Sequence, residues 1–485
     1  MKTSWQEGPS LPASPDQLNS SDTILPRDTL PLRVKVIYGF GEWSSAASSA
    51  ARTLYWLFFL ANIAGVNVGL ASGAIAIGRI WDAINDPLVG MISDKLNTRW
   101  GRRRPFLLFG AVPFGIAFFL MFLVPPFESQ VLLAFYYAFI FILYDTLYTI
   151  INVPYVALAP ALTEDYDERS SLAGWRSGFM LFANLVTAVA FKSLAEGVFA
   201  GWFGGDLVAG YAVSAGLWGL SMVAPPLLLF AKLDEPAQTS SGENIQFVRS
   251  MKEVFANRPF RMAAIIYLVT FTAADVVAAV LIWYLDFYIN AGPRFESILL
   301  GLMLVIAIVT MPLVVRMMHH YGKRKTYIIF MGFWMVMLLF ITQIPPGGRN
   351  LVLVIGGLSG LGYGAATSIP WAIVADVIET DELKTGKRRE GAYSGFLVFL
   401  RKFAGAAAIF LVGQVLNRAG FIESSGGSVV QPQSALDALQ FLVSIVPIGL
   451  LLIAIFAAWR FPLERAEHDE IRRQLVEKRR AAQEE

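Results

Sequence analysis

The stretch DPLVGMISDKLNTRWGRRRPFLLFG (Asp86–Gly110) returns in outline as MPLVVRMMHHYGKRKTYIIFMG (Met311–Gly332). Each holds Pro-Leu-Val near an apolar helix end, a glycine followed by three basic residues, and then the start of another apolar run. A second pair repeats downstream: VPYVALAPALTEDYDERSS (Val153–Ser171) and IPWAIVADVIETDELKTG (Ile369–Gly386) both place Pro-aromatic near a helix end that leads into an acidic loop. Gly101 to Gly322 is 221 residues and Pro154 to Pro370 is 216, so the second half of the chain echoes the first.

Around these repeats the composition is that of a membrane protein. Of the 485 residues, 55% are hydrophobic and 16% charged, with mean hydropathy +0.55, against about 25% charged in a soluble chain. About twenty apolar residues span a bilayer core, and a backbone in lipid must satisfy its own hydrogen bonds, so runs such as Pro105–Val124 and Tyr211–Ala231 are helices. Twelve such spans are expected, starting near Val36, Val68, Pro105, Val131, Leu172, Tyr211, Phe260, Ile298, Tyr327, Leu351, Ala392 and Leu439. The first, fifth and eleventh are weak, because they carry Ser, Gly and charges. The expected division is a polar tail over 1–32, a six-helix bundle over 33–233, a charged linker over 234–258, a second bundle over 259–461 and a charged tail over 462–485.

Lys and Arg cluster in alternate loops, at Lys95–Arg104, Lys323–Lys325 and Lys384–Arg389, while the intervening loops are nearly bare. By the positive-inside rule the basic loops and both termini are cytoplasmic, in a plasma membrane that is the inner membrane if the source is bacterial. With no cysteine, disulfides and thiolate metal sites are excluded, and three histidines, two of them adjacent, argue against a histidine metal centre. No phosphate loop, nucleophile triad or zinc pattern falls on a basic-side loop, so no enzyme is expected. No organic cofactor or nucleic-acid partner is expected, and the chain is expected to be a monomer.

Ionisable residues inside spans are functional candidates, since each costs about 2.5–3.5 kcal/mol to insert. Span two holds RIWDAINDP (Arg79–Pro87), with Asp82 and Asp86 one helical turn apart and Asn85 beside them. Two carboxylates so placed repel in a low dielectric, and Na⁺ or one shared proton relieves the repulsion; carboxylate and amide oxygens suit Na⁺. Permanent neutralisation by Arg79, or by Arg52 of span one, is the competing reading. In span four Asp145, Tyr148, Thr149 and Asn152 share one face, either as a lining of the site or as polar contacts between helices. Thr149 could give the cation a neutral oxygen and Asn152 could bond a substrate. Arg176, Arg401 and Lys402 are the other interior cations, each explained by a charged substrate or by a carboxylate partner. Trp43 and Tyr148 are among the aromatics able to stack on a sugar ring. Arg102, Arg103 and Arg104, facing the acidic segments that hold Asp165 and Asp381, are expected to form ion pairs that close the basic side.

YGFGEW (Tyr38–Trp43), RIWDAINDP with TRWGRRRP (Thr98–Pro105), PYVALAPALTEDYDER (Pro154–Arg169) and ADVIETDELKTGKRREG (Ala375–Gly391) resemble the motifs of the glycoside–pentoside–hexuronide:cation symporters. This is a branch of the major facilitators that includes the melibiose permease. The resemblance implies an all-α fold of two pseudo-symmetric six-helix bundles with binding near the midplane. It also implies cation-coupled symport of a small glycoside, pentoside or hexuronide. It puts the cation, Na⁺ or H⁺, at Asp82, Asn85, Asp86 and Thr149. Sugar falls at Arg176, with Lys402 between the two sites. Ser45-Ala46, Asn152 and Val156 stand where melibiose carriers have a lysine–aspartate pair, an aspartate and a tryptophan, so the acids expected to hold galactoside hydroxyls are missing. A lysophospholipid-carrying branch is similar in the same R-x-W-D-A-I-x-D-P pattern, which keeps an amphiphilic substrate open. A non-transporting sensor would need a signalling domain beyond these short tails.

Overall fold

The computed structural model describes residues 29–96, 98–163, 165–233, 254–255, 257–386, 389–427, 429–463 and part of 467–478. The tail up to residue 28, Glu164, most of the 234–258 linker, Lys387, Arg388 and most of the charged C-terminal tail lie outside the described residues.

Twelve helical rods follow one another among the described residues. α1 runs over Leu32–Ala51 and continues through a wider turn, Arg52–Trp56, to Asn62. α2 is Val68–Lys95, α3 Arg104–Met121, α4 Gln130–Leu162 and α6 Leu207–Lys232. α5 is Tyr166–Leu194, extended by a wider turn at Ala195–Phe199. α7 is Arg258–Trp283, extended likewise at Tyr284–Tyr288. α8 is Pro293–Tyr321, α9 Lys323–Ile341, α10 Arg349–Thr385, α11 Glu390–Arg418 and α12 Gln433–Trp459. Side chains start several of them: Asn67 accepts from the Gly69 and Leu70 amides, and Asp206 from those of Val208 and Ala209.

Ten of the rods are long and apolar enough to cross a membrane, and α1 and α2 are not. α5 and α11, weak by sequence, do qualify, whereas α2 falls short because Arg79, Asp82 and Asp86 are concentrated in it. α1 loses apolar character to its serines, Glu42 and Arg52.

The repeat is visible in the packing. α1 packs on α5 as α7 does on α11, α2 on α4 as α8 on α10, and α3 on α6 as α9 on α12. α2 against α11 and α5 against α8 join the two groups, again as a symmetric exchange. The glycines that led the sequence comparison turn the chain in the same way: Gly101 has φ 98° and Gly322 φ 83°, values that favour glycine. Two glycines of α11 let α2 approach, since a methyl group at Gly413 would strike Ser72 and one at Gly405 would strike Arg79.

Bonds between the two groups crowd the end opposite the basic loops. There Asn67 donates to Asn417 at 2.9 Å, Glu423 accepts from the Val68 amide at 2.8 Å, and the Gly426 amide donates to the Asn62 carbonyl at 2.9 Å. Trp283 donates to Asn62, and Ser297 to the Val189 carbonyl at 2.7 Å. Lys192 of α5 is 2% exposed and lies 2.6 Å from Asp286 of α7, 2.9 Å from Glu296 of α8 and 3.8 Å from Glu196 of its own helix. This end of the molecule is closed. A buried ion pair that loses one partner costs about 3–5 kcal/mol, so Lys192→Met will loosen the closure. With no native cysteine to interfere, maleimide labelling of Ser193→Cys should then quicken at least tenfold; an unchanged rate contradicts a fastening role for Lys192.

Candidate functional site

Asp82 and Asp86 project one turn apart from α2 toward α11. The Lys402 ammonium sits between them, 2.7 Å from Asp82 Oδ1, 2.5 Å from Asp86 Oδ2 and 3.0 Å from the Asp82 carbonyl. Thr149 of α4 donates to Asp86 Oδ1 at 2.9 Å. Pro87 follows directly and has no N–H for the carbonyl four residues back, which loosens the backbone beside the site. A cleft of about 320 Å³ opens here, lined by Ala83, Asp86 and Pro87 of α2 and by residues of α11 from Gly391 to Lys402. It leads from the carboxylates toward the basic-loop end.

The structure therefore brings Asp82, Asp86 and Thr149 together. Asn85 is buried, and its amide nitrogen has no hydrogen-bond partner among the described residues. The base between the acids is Lys402, which the resemblance had set between cation and sugar, and not Arg79 or Arg52. Those two are engaged elsewhere: Arg79 lies 3.8 Å from Asp275 of α7, and Arg52 lies 3.5 Å from the fully buried Asp145. Arg52 opens the wider turn of α1, and a wider turn re-aims side chains. Arg401 grips Asp275 with both terminal nitrogens, one at 2.9 Å, and lies 4.7 Å over the Phe271 ring.

A second polar group lies between α1, α4 and α5. Arg176 Nε donates to Glu42 Oε2 at 2.6 Å, and Ser45 donates to Asn152 Oδ1 at 3.0 Å. Trp43 directs its indole N–H to Ser221 of α6 at 3.1 Å, and the Tyr148 ring packs 6.3 Å from Phe114 and from Tyr144. Both aromatics have packing partners within the first group of helices.

At the basic end, Arg103 donates to the Ala157 carbonyl at 2.5 Å and Arg104 to that of Phe230 at 2.7 Å. Asp165 caps α5 by accepting from the Glu168 amide at 2.8 Å, Asp381 pairs with Arg389 at 2.9 Å, and Arg102 is partly buried in the same turn as Arg103. The bonds described for these residues each stay within one group of six helices, in a conformation fastened at the other end.

Sequence reasoning passed over Asp275 and the Lys192 cluster. An acid alone in the apolar run Thr270–Val280 was a sufficient signal for Asp275. Lys192, Asp286 and Glu296 lie near span ends, where charges ordinarily meet water.

At about 4 Å and an effective dielectric of 20, two like charges repel by about 4 kcal/mol. Lys402→Ala should therefore raise Na⁺ affinity by removing the competing ammonium. The expected result is a larger Na⁺-dependent rise in melting temperature than in the native chain, cancelled by adding Asp82→Asn. Equal responses would contradict it.

A family model described as MFS/sugar transport protein matches residues 37–465. An uncharacterized symporter of Synechocystis sp. is 29% identical, over 93% of this chain and 98% of its own. The putative glycoside/cation symporter YagG of Escherichia coli K12 is 26% identical, over 94% and 96%. Among solved structures, a D-xylose-proton symporter shares the fold with TM-score 0.64 at 15% identity, over 89% of this chain and 98% of that one. With a match running through both groups of helices, the chain belongs to the MFS/sugar transport protein family, the glycoside–cation symporters, and is an integral membrane transporter rather than an enzyme.

Proposed function

We propose that the protein imports a small glycoside, pentoside or uronide by symport with Na⁺ or H⁺. The observation that carries this reading is the pair Asp82 and Asp86 held by a single ammonium at the seam between α2 and α11. Two carboxylates against one lysine leave a spare negative charge, and the donors nearby (carboxylates, the Thr149 hydroxyl, the Asp82 carbonyl) are all oxygen, which suits a hard monovalent cation. A cation entering there competes with Lys402, weakens its hold on α2, and so biases the seam on which alternating access turns. The coupling is reciprocal: bound cation raises substrate affinity, and substrate raises cation affinity equally. One positive charge moving inward contributes about 2.3 kcal/mol per 100 mV, enough for more than tenfold accumulation.

In this reading the halves are 33–233 and 259–461, the basic loops and both termini face the cytoplasm, and the chain works as a monomer. Substrate meets Arg176 and Asn152 on the first half. An amphiphilic substrate is the second reading, supported by an apolar cleft of about 430 Å³ along α5, lined by Trp175, Phe179 and Phe182 among others.

Uptake into proteoliposomes, comparing sugars with lysolipids under Na⁺ and under H⁺ gradients, separates these readings. Asp82→Asn and Asp86→Asn should each abolish gradient-driven accumulation. Unaltered accumulation in both would remove the cation site.

A further inference from the structure

Arg176 is the cation nearest the proposed substrate wall, and its charge is already matched. Its Nε donates to Glu42 Oε2 at 2.6 Å, with the guanidinium about one third exposed and the Glu42 side chain 7% exposed. The carboxylate is thus the more deeply buried member of the pair. Tyr155 lies 5.8 Å beneath the guanidinium and donates its own hydroxyl to the Tyr38 carbonyl at 2.8 Å, so it fixes the face of the pair without adding charge. The next groups on this wall, Ser45 and Asn152, are neutral and bonded to each other at 3.0 Å. A ligand meeting these groups finds guanidinium and amide N–H donors and no net positive charge. The Asp82–Asp86–Lys402 group, in contrast, keeps one spare negative charge for a cation.

A carboxylate or sulfonate at Arg176 would have to compete with a buried acid that cannot leave, because Glu42 is fixed on α1 and desolvated. A neutral polyol has no such competitor: its hydroxyls accept from the guanidinium and bond Asn152 while the ion pair stays closed. Within the transport reading above, on which this inference rests, we propose that Glu42 is a specificity-determining residue that neutralises Arg176 and restricts the site to substrates without net charge. This narrows that reading to its neutral members: glycosides and pentosides are accepted, while uronides are refused, as sulfonated sugars would be.

Two measurements test this. The first uses sulfate as an anion probe, with chloride at matched ionic strength as reference, and reads the melting temperature of the purified chain. The native chain should show no sulfate-specific, Arg176-dependent stabilisation. Glu42→Gln should gain one corresponding to at least tenfold tighter binding, lost again when Arg176→Gln is added. The second measures uptake of methyl β-glucoside against glucuronate in proteoliposomes, where the native preference for the neutral sugar should fall at least tenfold in Glu42→Gln. Arg176-dependent sulfate binding or glucuronate uptake in the native chain overturns the proposal, as does a folded Glu42→Gln protein with no gain for anions. If Glu42→Gln does not fold, the native chain and Arg176→Gln alone decide it by the sulfate response. Should neither sugar enter while the sulfate results are as expected, the transport reading falls and the neutralising role of Glu42 stands.

Discussion

The Lys402 ammonium joins two acids of α2 to α11, and so ties the two groups of helices through a charge that each needs from the other. A charge taken out of water is tolerated only when another is beside it. That constraint runs through the interior: Arg52 answers Asp145, Arg79 and Arg401 share Asp275, and Arg176 answers Glu42. The groups are not equally balanced. Asp82, Asp86 and Lys402 carry a surplus of negative charge, while Asp275 with its two arginines carries the opposite surplus nearby. Since Arg79 is on the same helix as Asp82, and Arg401 precedes Lys402, a change in one group reaches the other through the backbone of two helices.

Local geometry serves this arrangement. Pro87 follows the second acid and weakens the ladder where the carboxylates must turn toward α11. Glycines at 405 and 413 bring α11 close enough for its lysine to reach both acids. A wider turn begins at Arg52, whose guanidinium lies 3.5 Å from Asp145. These features weaken the helices individually, and tertiary ion pairs compensate.

The sequence made the architecture legible because apolar length and basic loops are local signals and the repeat is a signal of order. All twelve rods start within six residues of the expected positions. The α2 acids were also legible, since i and i+4 share a face whatever surrounds them. Partners were not. Nothing local pairs Asp275 with Arg401, 126 residues away, or Lys402 with Asp82, 320 residues away. Trp43 and Tyr148 show the limit for aromatics: a ring suited to a sugar is equally suited to a neighbouring helix, and only packing decides which.

The cluster at Lys192 has a consequence for ions that approach the end opposite the basic loops. Three carboxylates gather around one lysine at the closed end, and Asp286 and Glu196 remain 21% and 15% exposed. The carboxylates there outnumber the lysine, and a surplus of one sign set in a low-dielectric rim focuses its field outward. A negative surplus at this end would draw small cations toward it and repel anions. The acids that hold the fastening lysine would thus also act at a distance, on ions that never touch the site at Asp82 and Asp86.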